Sequence, residues 1–429
     1  MKRNRAQRHK KKKRRLLKIS IILLSILCCL LIYVYSSAQK TLRKTYVKGT
    51  PNSSKISPDK PLTILFMGVD TGDNARGGND SWEGNSDSQI IMTLNPSNNT
   101  TTLISIERDT MSNIEDNTGK VQSTQKMNAA YPLGYSEGGI SKGAEYAMKT
   151  IGSQVGLDIN DFVIVNMDGL VNLVNDVGGI EVINDTNGVD ASLGTKSGKI
   201  TLPGSSDIVD SGAIYISNTE PEYTSYVPYI AGSPKQLISG EQALVFSRDR
   251  DTLQNGNYGR AAHQRQVMTQ LINKMISINN IFKYKTFLSD ISSDFKTNIS
   301  SDLSNLEKIM KYKKCFNKIV SIQYQGVSQT VNGISYEFLP ENVGLAIQNI
   351  MRLSSNKQAS NTLNKNVITY EEYFDALPQY YYMPSATVTL KGKGTKTYGI
   401  DTAGEFVTIN QTNSENYVAS TGGAVQYSK

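Results

Sequence analysis

A buried β-strand is predicted by the run TILFMGVD at residues 63–70, a continuous apolar stretch closed by a glycine. Two more strands are predicted at residues 89–94 and 101–106, and the turn sequence NPSNN between them indicates a hairpin. A further buried strand is expected at residues 162–167. Polar residues collect where these strands end, and ligands of α/β proteins bind at the ends of strands.

Helical spacing of apolar residues follows the strands along the chain, at residues 141–155, 264–281, 301–312 and 341–353. Strands that alternate with helices and include a hairpin predict an α/β fold, an α-β-α sandwich around a mixed central sheet. This domain is predicted over residues 61–355, with a surface insertion at 184–234 that is rich in Gly, Ser, Asp and Tyr. Residues 356–429 are predicted to be a polar tail, partly ordered or disordered.

A transmembrane helix is predicted at residues 19–38, which carry no charge and would span about 30 Å. Eleven Lys and Arg precede it in residues 1–18, so the positive-inside rule predicts a basic cytoplasmic tail, a single-pass anchor in the cell membrane and an extracellular domain. Residues 39–60 are interpreted as a linker. The alternative is a cleaved signal peptide with Ser36-Ser37-Ala38 as its small-residue site.

Composition excludes several classes of function. The formal net charge of +8 comes from the tail, because the rest of the chain holds 35 of the 46 basic residues against all 38 acidic ones. No nucleic-acid partner is therefore expected. Two histidines and three cysteines provide neither a zinc site of several such ligands nor a disulfide framework. His263 is interpreted as a surface or hydrogen-bonded residue, which leaves carboxylates, arginines and a bound cation for chemistry.

Two carboxylates stand out at the predicted strand ends. Asp70 closes the first strand, and Asp87 comes just before the hairpin. Two carboxylates that are joined by water and phosphate oxygens suit octahedral Mg²⁺ better than zinc. The sequence therefore predicts a magnesium site at this edge of the sheet.

Four arginines are predicted to accompany these carboxylates. Arg248 and Arg250 would point to the same side of an extended segment, and Arg108 follows the hairpin's second strand. Arg260 follows a glycine-rich turn that is predicted to open the long helix. Permanently charged, bidentate arginines in a domain of net negative charge fit a site for a diphosphate and Mg²⁺.

Seven ordered motifs resemble those of the LytR-CpsA-Psr family: GVD (68–70), NSDSQIIMTLNP (85–96), SIERDT (105–110), KMNAAY (126–131), DVGGIEV (176–182), SGEQALVFSRDR (239–250) and GNYGRAAHQRQV (256–267). The resemblance implies a cell-envelope enzyme of a Gram-positive bacterium, with a membrane helix and an external α/β domain. It implies transfer of a glycopolymer (wall teichoic acid, capsule or a related polysaccharide) from a polyprenyl-pyrophosphate carrier to peptidoglycan N-acetylmuramic acid, with the lipid tail in a hydrophobic pocket of the domain.

The resemblance also implies residue roles. The Mg²⁺ ligands, with Mn²⁺ as an alternative ion, would be Asp70 and Asp87. The pyrophosphate would be bound by Arg108, Arg248, Arg250 and Arg260, with assistance from Gln264. The catalytic residues would be Arg108, Arg248 and Arg250, with Asp109 orienting the arginines.

The chain departs from the family pattern at four positions. Asn85 and His263 replace the usual arginines, Glu107 replaces a proline, and Asn257 replaces an aspartate. Two alternatives stay open. One is a lipid pyrophosphatase that uses water as the acceptor. The other is a polyprenyl-pyrophosphate-binding regulator or attenuator of envelope gene expression without transfer activity.

Overall fold

The computed structural model describes residues 46–47, 56–70, 82–183, 199–201, 208–210, 214–215, 226–227, 235–248, 256–276, 295–300, 303–409 and 418–419. The predicted tail at 1–18 and membrane helix at 19–38 lie outside these ranges. Within them, no helix combines the length and the apolar character that crossing a membrane requires.

The strands are β1 (Leu62–Asp70), β2 (Asn85–Asn95), β3 (Thr100–Ser105), β4 (Met111–Glu115), β5 (Val121–Lys126), β6 (Asp161–Val165), β7 (Ile180–Val182), β8 (Lys199–Thr201), β9 (Ile208–Asp210), β10 (Ile214–Tyr215), β11 (Tyr226–Val227), β12 (Gln236–Ile238), β13 (Phe295–Thr297), β14 (Lys318–Gln323), β15 (Val327–Val331), β16 (Ile334–Phe338), β17 (Tyr380–Tyr381), β18 (Ser385–Leu390), β19 (Gly394–Ile400), β20 (Phe406–Val407) and β21 (Val418–Ala419). The helices are α1 (Ala130–Val155), α2 (Met167–Asp176), α3 (Gly240–Arg248), α4 (Gly256–Ile276), α5 (Leu303–Met310), α6 (Glu341–Ser354) and α7 (Tyr370–Phe374).

The central sheet is mixed, as predicted. Its strands lie in the order β13-β6-β1-β2-β3-β14-β18-β19-β20. The pairs β1/β6 and β3/β14 are parallel, and the other neighbours are antiparallel. The carboxyl ends of β1, β3 and β6 therefore meet at the edge where β2 begins, and the candidate site residues lie at this edge.

Helices cover both faces of the sheet because adjacent residues of each strand point to opposite sides. Leu65 and Ile91 are fully buried on the face covered by α1 and α6. Ile64 and Met92 pack on the other face against α4, α5 and the 3-10 helix at Lys311–Asn317. Burial of each such side chain stabilises the fold by roughly 1.5–3 kcal/mol. The α-β-α sandwich expected from the sequence is thus present.

Most predicted elements are found, with shifted ends. The hairpin predicted around residues 95–99 joins β2 to β3, with Leu94 opposite Thr101. The helix predicted at 141–155 is the second part of α1, which changes direction at Gly138-Gly139. The insertion predicted at 184–234 is described only as the short antiparallel pairs β8/β9 and β10/β11.

The sheet extends beyond the domain boundary that was predicted at residue 355. β18 pairs along its whole length with β14, from Ser385 opposite Gln323 to Leu390 opposite Lys318. β19 and β20 then complete the sheet. The predicted polar tail therefore contributes three strands to the central sheet, and its alternating segment ATVTLKG is part of β18 and the turn that follows.

Candidate active site

A β-bulge sets the position of Asp87. Gly68 pairs with Ser88 and Val69 with Ser86, so Asp87 is the extra residue of β2 between these pairs. Bulges redirect side chains at the rims of sheets. A side chain at position 68 would place its Cβ 3.1 Å from the Cβ of Ser88, so glycine permits this close pairing.

The carboxylate of Asp87 lies between two donors from neighbouring segments. Arg108, which follows β3, places Nη1 2.9 Å from Asp87 Oδ2. Asn128 donates from Nδ2 to Asp87 Oδ1 at 2.9 Å. The side chain of Asp87 is 31% exposed and that of Arg108 is 21% exposed, so this ion pair is open to solvent and ligands.

A second carboxylate lies on the other side of Arg108. Lys126 of β5 donates to Asp109 Oδ1 at 2.8 Å. Arg108 Nε lies 3.4 Å from Asp109 Oδ2, but this buried N–H has no hydrogen-bond acceptor among the described residues. A buried donor without an acceptor is costly, and the side chain of Arg108 is partly exposed, so its guanidinium can be reached by an additional anion.

Gln264 connects the start of β2 to the end of α3. Its Oε1 accepts a hydrogen bond from Ser88 Oγ at 3.0 Å, and its Nε2 donates to the Ser247 carbonyl at 3.2 Å. Arg248, which follows Ser247 in the chain, places Nη1 3.6 Å from the Met167 sulfur at the start of α2. Gln264 and Arg248 therefore belong to the same edge of the sheet as Asp87.

The structure corrects two local predictions about the arginines. Arg248 is the last residue of a helix rather than part of an extended segment, and Arg250 lies outside the described residues. The glycine-rich segment at 256–259 is itself the first turn of α4, so Arg260 lies inside the helix and not after a turn.

The predicted metal ligands are only partly described. Asp70 pairs with Asn85 through its backbone, close to Asp87 on the adjacent strand, and its side chain is outside the described part. No group of three acidic, histidine or cysteine side chains forms a metal site in the described ranges. Each oxygen of Asp87 accepts one bond, which leaves lone pairs for a cation. This donor set fits Mg²⁺, which binds one or two carboxylates together with substrate phosphates.

Glu107 is a buried carboxyl that the sequence did not assign to the site. It is 7% exposed. Burial raises the pKa of Glu107 to about 7; nearby Arg260 and Arg108 oppose this shift, whereas Glu337 and Asp109 add to it. Arg260 therefore lies near Glu107, the residue directly before Arg108.

Glu337 brings the hairpin β15–β16 to the site. Its Oε2 accepts a hydrogen bond from the Tyr258 hydroxyl of α4 at 3.1 Å, and its N–H donates to the Asp109 carbonyl at 3.0 Å. An isolated glutamate in an exposed hairpin gave no sequence signal for this position. By contrast, Lys126 and Asn128 belong to the motif KMNAAY, which could have indicated their contacts with Asp109 and Asp87.

His263 and Arg265 have structural contacts. The His263 ring is buried, stacks on Phe246 at 3.8 Å between centroids, and has Nδ1 3.1 Å from the Phe246 carbonyl. This agrees with the interpretation of His263 as a hydrogen-bonded residue. Arg265 is 5% exposed and donates to the hydroxyls of Ser321 and Ser105, at 2.9 and 2.8 Å. It therefore joins α4 to β14 and β3.

Known proteins resemble this chain over most of its length. A Streptococcus mutans protein named biofilm regulatory protein A is 33% identical over 350 residues, which are 80% of this chain and 76% of that protein. An Enterococcus faecalis protein named polyisoprenyl-teichoic acid–peptidoglycan teichoic acid transferase TagU is 31% identical over 312 residues, 72% of this chain and 85% of that protein. The crystal structure of a Streptococcus agalactiae protein matches with a TM-score of 0.62 and 35% identity, covering 76% of this chain and 97% of that one.

The family model described as the LytR_cpsA_psr family matches residues 29–353. These residues include every strand and helix that supplies the candidate site. The motif resemblance noted in the sequence is thereby confirmed, and the chain belongs to the LytR-CpsA-Psr family.

Proposed function

We propose that this protein is a membrane-anchored phosphotransferase that moves an anionic glycopolymer from a polyprenyl-pyrophosphate carrier to peptidoglycan N-acetylmuramic acid. The observation that carries the proposal is the partly exposed guanidinium of Arg108, which lies between the carboxylates of Asp87 and Asp109 and whose buried Nε–H has no acceptor in the described part of the chain. The name of the Enterococcus faecalis relative, a teichoic acid–peptidoglycan transferase, supports the same reaction class.

The placement of the described arginines supports their proposed role in binding the diphosphate. Arg108 and Arg260 both lie near enough to Glu107 to lower its pKa, and Arg248 is connected to this edge through Gln264. Guanidinium groups bind phosphate oxygens in a bidentate manner and keep their charge at every physiological pH. Arg250 would join them as the fourth arginine of the motif.

In the proposed reaction, a hydroxyl of N-acetylmuramic acid attacks the phosphorus that is linked to the sugar, and polyprenyl phosphate leaves. A magnesium ion held by Asp87 and Asp70 would supply charge neutralisation on the phosphate oxygens. The arginines would stabilise the charge that develops on the equatorial oxygens. Asp109, bonded to Lys126 and near Arg108, would hold the guanidinium in orientation.

A direct test incubates the full-length protein in detergent micelles with Mg²⁺, a short-chain polyprenyl-diphosphoryl oligosaccharide and peptidoglycan fragments. Mass spectrometry should detect the oligosaccharide on muramic acid through a phosphodiester. Arg352→Ala is the matched control, because α6 ends beside Asn95 at the opposite edge of the sheet. No product from the unaltered chain, with the donor bound, would contradict transfer.

The same assay separates the two other candidate functions. Release of the sugar phosphate without attachment would indicate a lipid pyrophosphatase. Donor binding without any turnover would favour a regulator, which is suggested by the name of the Streptococcus mutans relative. Comparison of the wall-bound polymers in strains with and without the protein then identifies which glycopolymer is transferred.

A further inference from the structure

Four carboxyl groups of the described chain lie around the arginines of the candidate active site, and three of them are engaged. Asp87 accepts bonds from Arg108 and Asn128, and Asp109 accepts one from Lys126. Glu337 accepts from the hydroxyls of Tyr258 and Ser328. A carboxylate that accepts hydrogen bonds is a weaker base, because those bonds favour its charged form.

The fourth carboxyl, Glu107, differs from the other three. It is more than nine-tenths buried, and no described residue donates a hydrogen bond to its carboxyl oxygens. Its backbone is nevertheless fixed, since its N–H donates to the Tyr324 hydroxyl at 3.0 Å and its carbonyl accepts from Thr110 Oγ1 at 2.8 Å. The backbone of Glu107 is thus fixed, and no described donor uses the lone pairs of its carboxyl.

The charged and titratable groups that face Glu107 come from every neighbouring element. On its own segment are Arg108 and Asp109, on α4 are Arg260 and Tyr258, after β14 is Tyr324, and on β16 is Glu337. The two arginines are those that would bind the diphosphate. The Glu107 carboxyl is near enough to both for each to lower its pKa, so a diphosphate that the two arginines bind would lie near this carboxyl.

We propose that Glu107 is the general base that accepts the proton of the attacking muramic acid hydroxyl. The proposal rests on the transferase function. As the hydroxyl oxygen forms its bond to phosphorus, the bond from phosphorus to the polyprenyl phosphate oxygen breaks, and the hydroxyl proton passes to the Glu107 carboxylate. The proton then leaves to solvent before the next turnover. Burial and the nearby carboxylates of Glu337 and Asp109 suit Glu107 to this role, since they raise its pKa to about 7.

Glu107→Gln keeps the shape of the side chain and removes its basicity. Positioned bases contribute about 10²–10⁴-fold, so we expect single-turnover transfer to fall at least about 100-fold while donor affinity stays unchanged. The rate of the unaltered protein should rise with pH through about 7, and the variant should lose this rise. A residue that only supported the fold would leave the pH dependence of the transfer rate in place in the variant.

Glu337→Gln tests the same base without altering it. Removal of the Glu337 charge takes away one cause that raises the pKa of Glu107. The rise of the transfer rate should therefore shift to lower pH. An unshifted profile would contradict the inference, even where Glu107→Gln fails to fold.

The two proposals fail in different ways. Absence of transfer by the unaltered chain would reject the transferase function. Normal transfer by Glu107→Gln, with its pH dependence retained, would reject only the assignment of the base.

Discussion

The charged residues at the rim of the candidate active site differ from those in the layer beneath it in exposure and in ionic partners. The rim charges are Asp87, Arg108, Asp109 and Lys126, which form ion pairs although they are 18–31% exposed. Beneath them, Glu107 and Arg265 are 7% and 5% exposed. Neither has a hydrogen-bonded partner of opposite charge among the described residues.

This difference teaches which charges are available to a ligand. An ion pair near solvent costs little to open, so the rim charges can exchange partners for a diphosphate and a cation. A buried charge without an ionic partner is expensive, and its retention indicates a specific task. For Glu107 the task would be chemical, whereas for Arg265 it is attachment of α4 to the sheet.

The largest expected effect comes from the rim. Arg108→Ala should lower the transfer rate about 10²–10³-fold, the scale of losing one donor that stabilises developing charge. Its unfolding midpoint in urea should change little, because the lost ion pair is partly exposed. Single-turnover kinetics and urea titration measure both. Full transfer by this variant would show that Arg108 does not take part in catalysis.

In the buried layer, Glu107→Gln should stabilise the protein at high pH. The pKa of Glu107 is raised from 4.5 to about 7, so its contribution to stability is full below pH 4.5 and is lost as the pH rises through 7. Glutamine does not titrate. The unfolding free energy of the variant, compared with that of the unaltered chain, should therefore be roughly 3 kcal/mol more favourable at pH 8 than at pH 4. Urea unfolding measures this difference. If the variant and the unaltered chain differed by the same unfolding free energy at pH 4 and pH 8, the assignment would be contradicted.

Arg265→Ala should destabilise the fold by about 2 kcal/mol, because it leaves a cavity and removes the donors to Ser105 and Ser321. Arg265→Met, which fills more of the volume, should cost less. Equal losses for the two variants would mean that the hydrogen bonds, and not packing, dominate. Equilibrium unfolding in urea provides the comparison.

The smallest effect is expected for Lys126→Ala. Its ion pair with Asp109 is partly exposed, so its loss should cost about 0.2–1 kcal/mol in unfolding free energy. The difference from the unaltered protein should shrink in high salt, since salt screens such pairs. A cost that does not change with salt would show that Lys126 acts through packing instead, for example over the Tyr336 ring.

The sheet and its hairpin were predictable because apolar runs and turn residues are local signals. The position of Asp87 depends on a bulge, which is a matter of register between two strands and is not encoded in either alone. The helical state of Arg248 was missed, since an Arg-x-Arg pattern is compatible with both helix and strand. Glu107 was noticed as a departure from the family, but its burial depends on α4 and β16, which are distant in sequence.

The three strands of the central sheet that follow α6 have a practical consequence for anyone who shortens the chain. The family match ends at residue 353, yet β14 is covered on its far side by β18. A fragment cut at that boundary would leave the backbone groups of Lys318–Gln323 as an open edge, which invites strands from other molecules. Such a fragment should self-associate, and a monodisperse preparation should require the chain to continue through Val407.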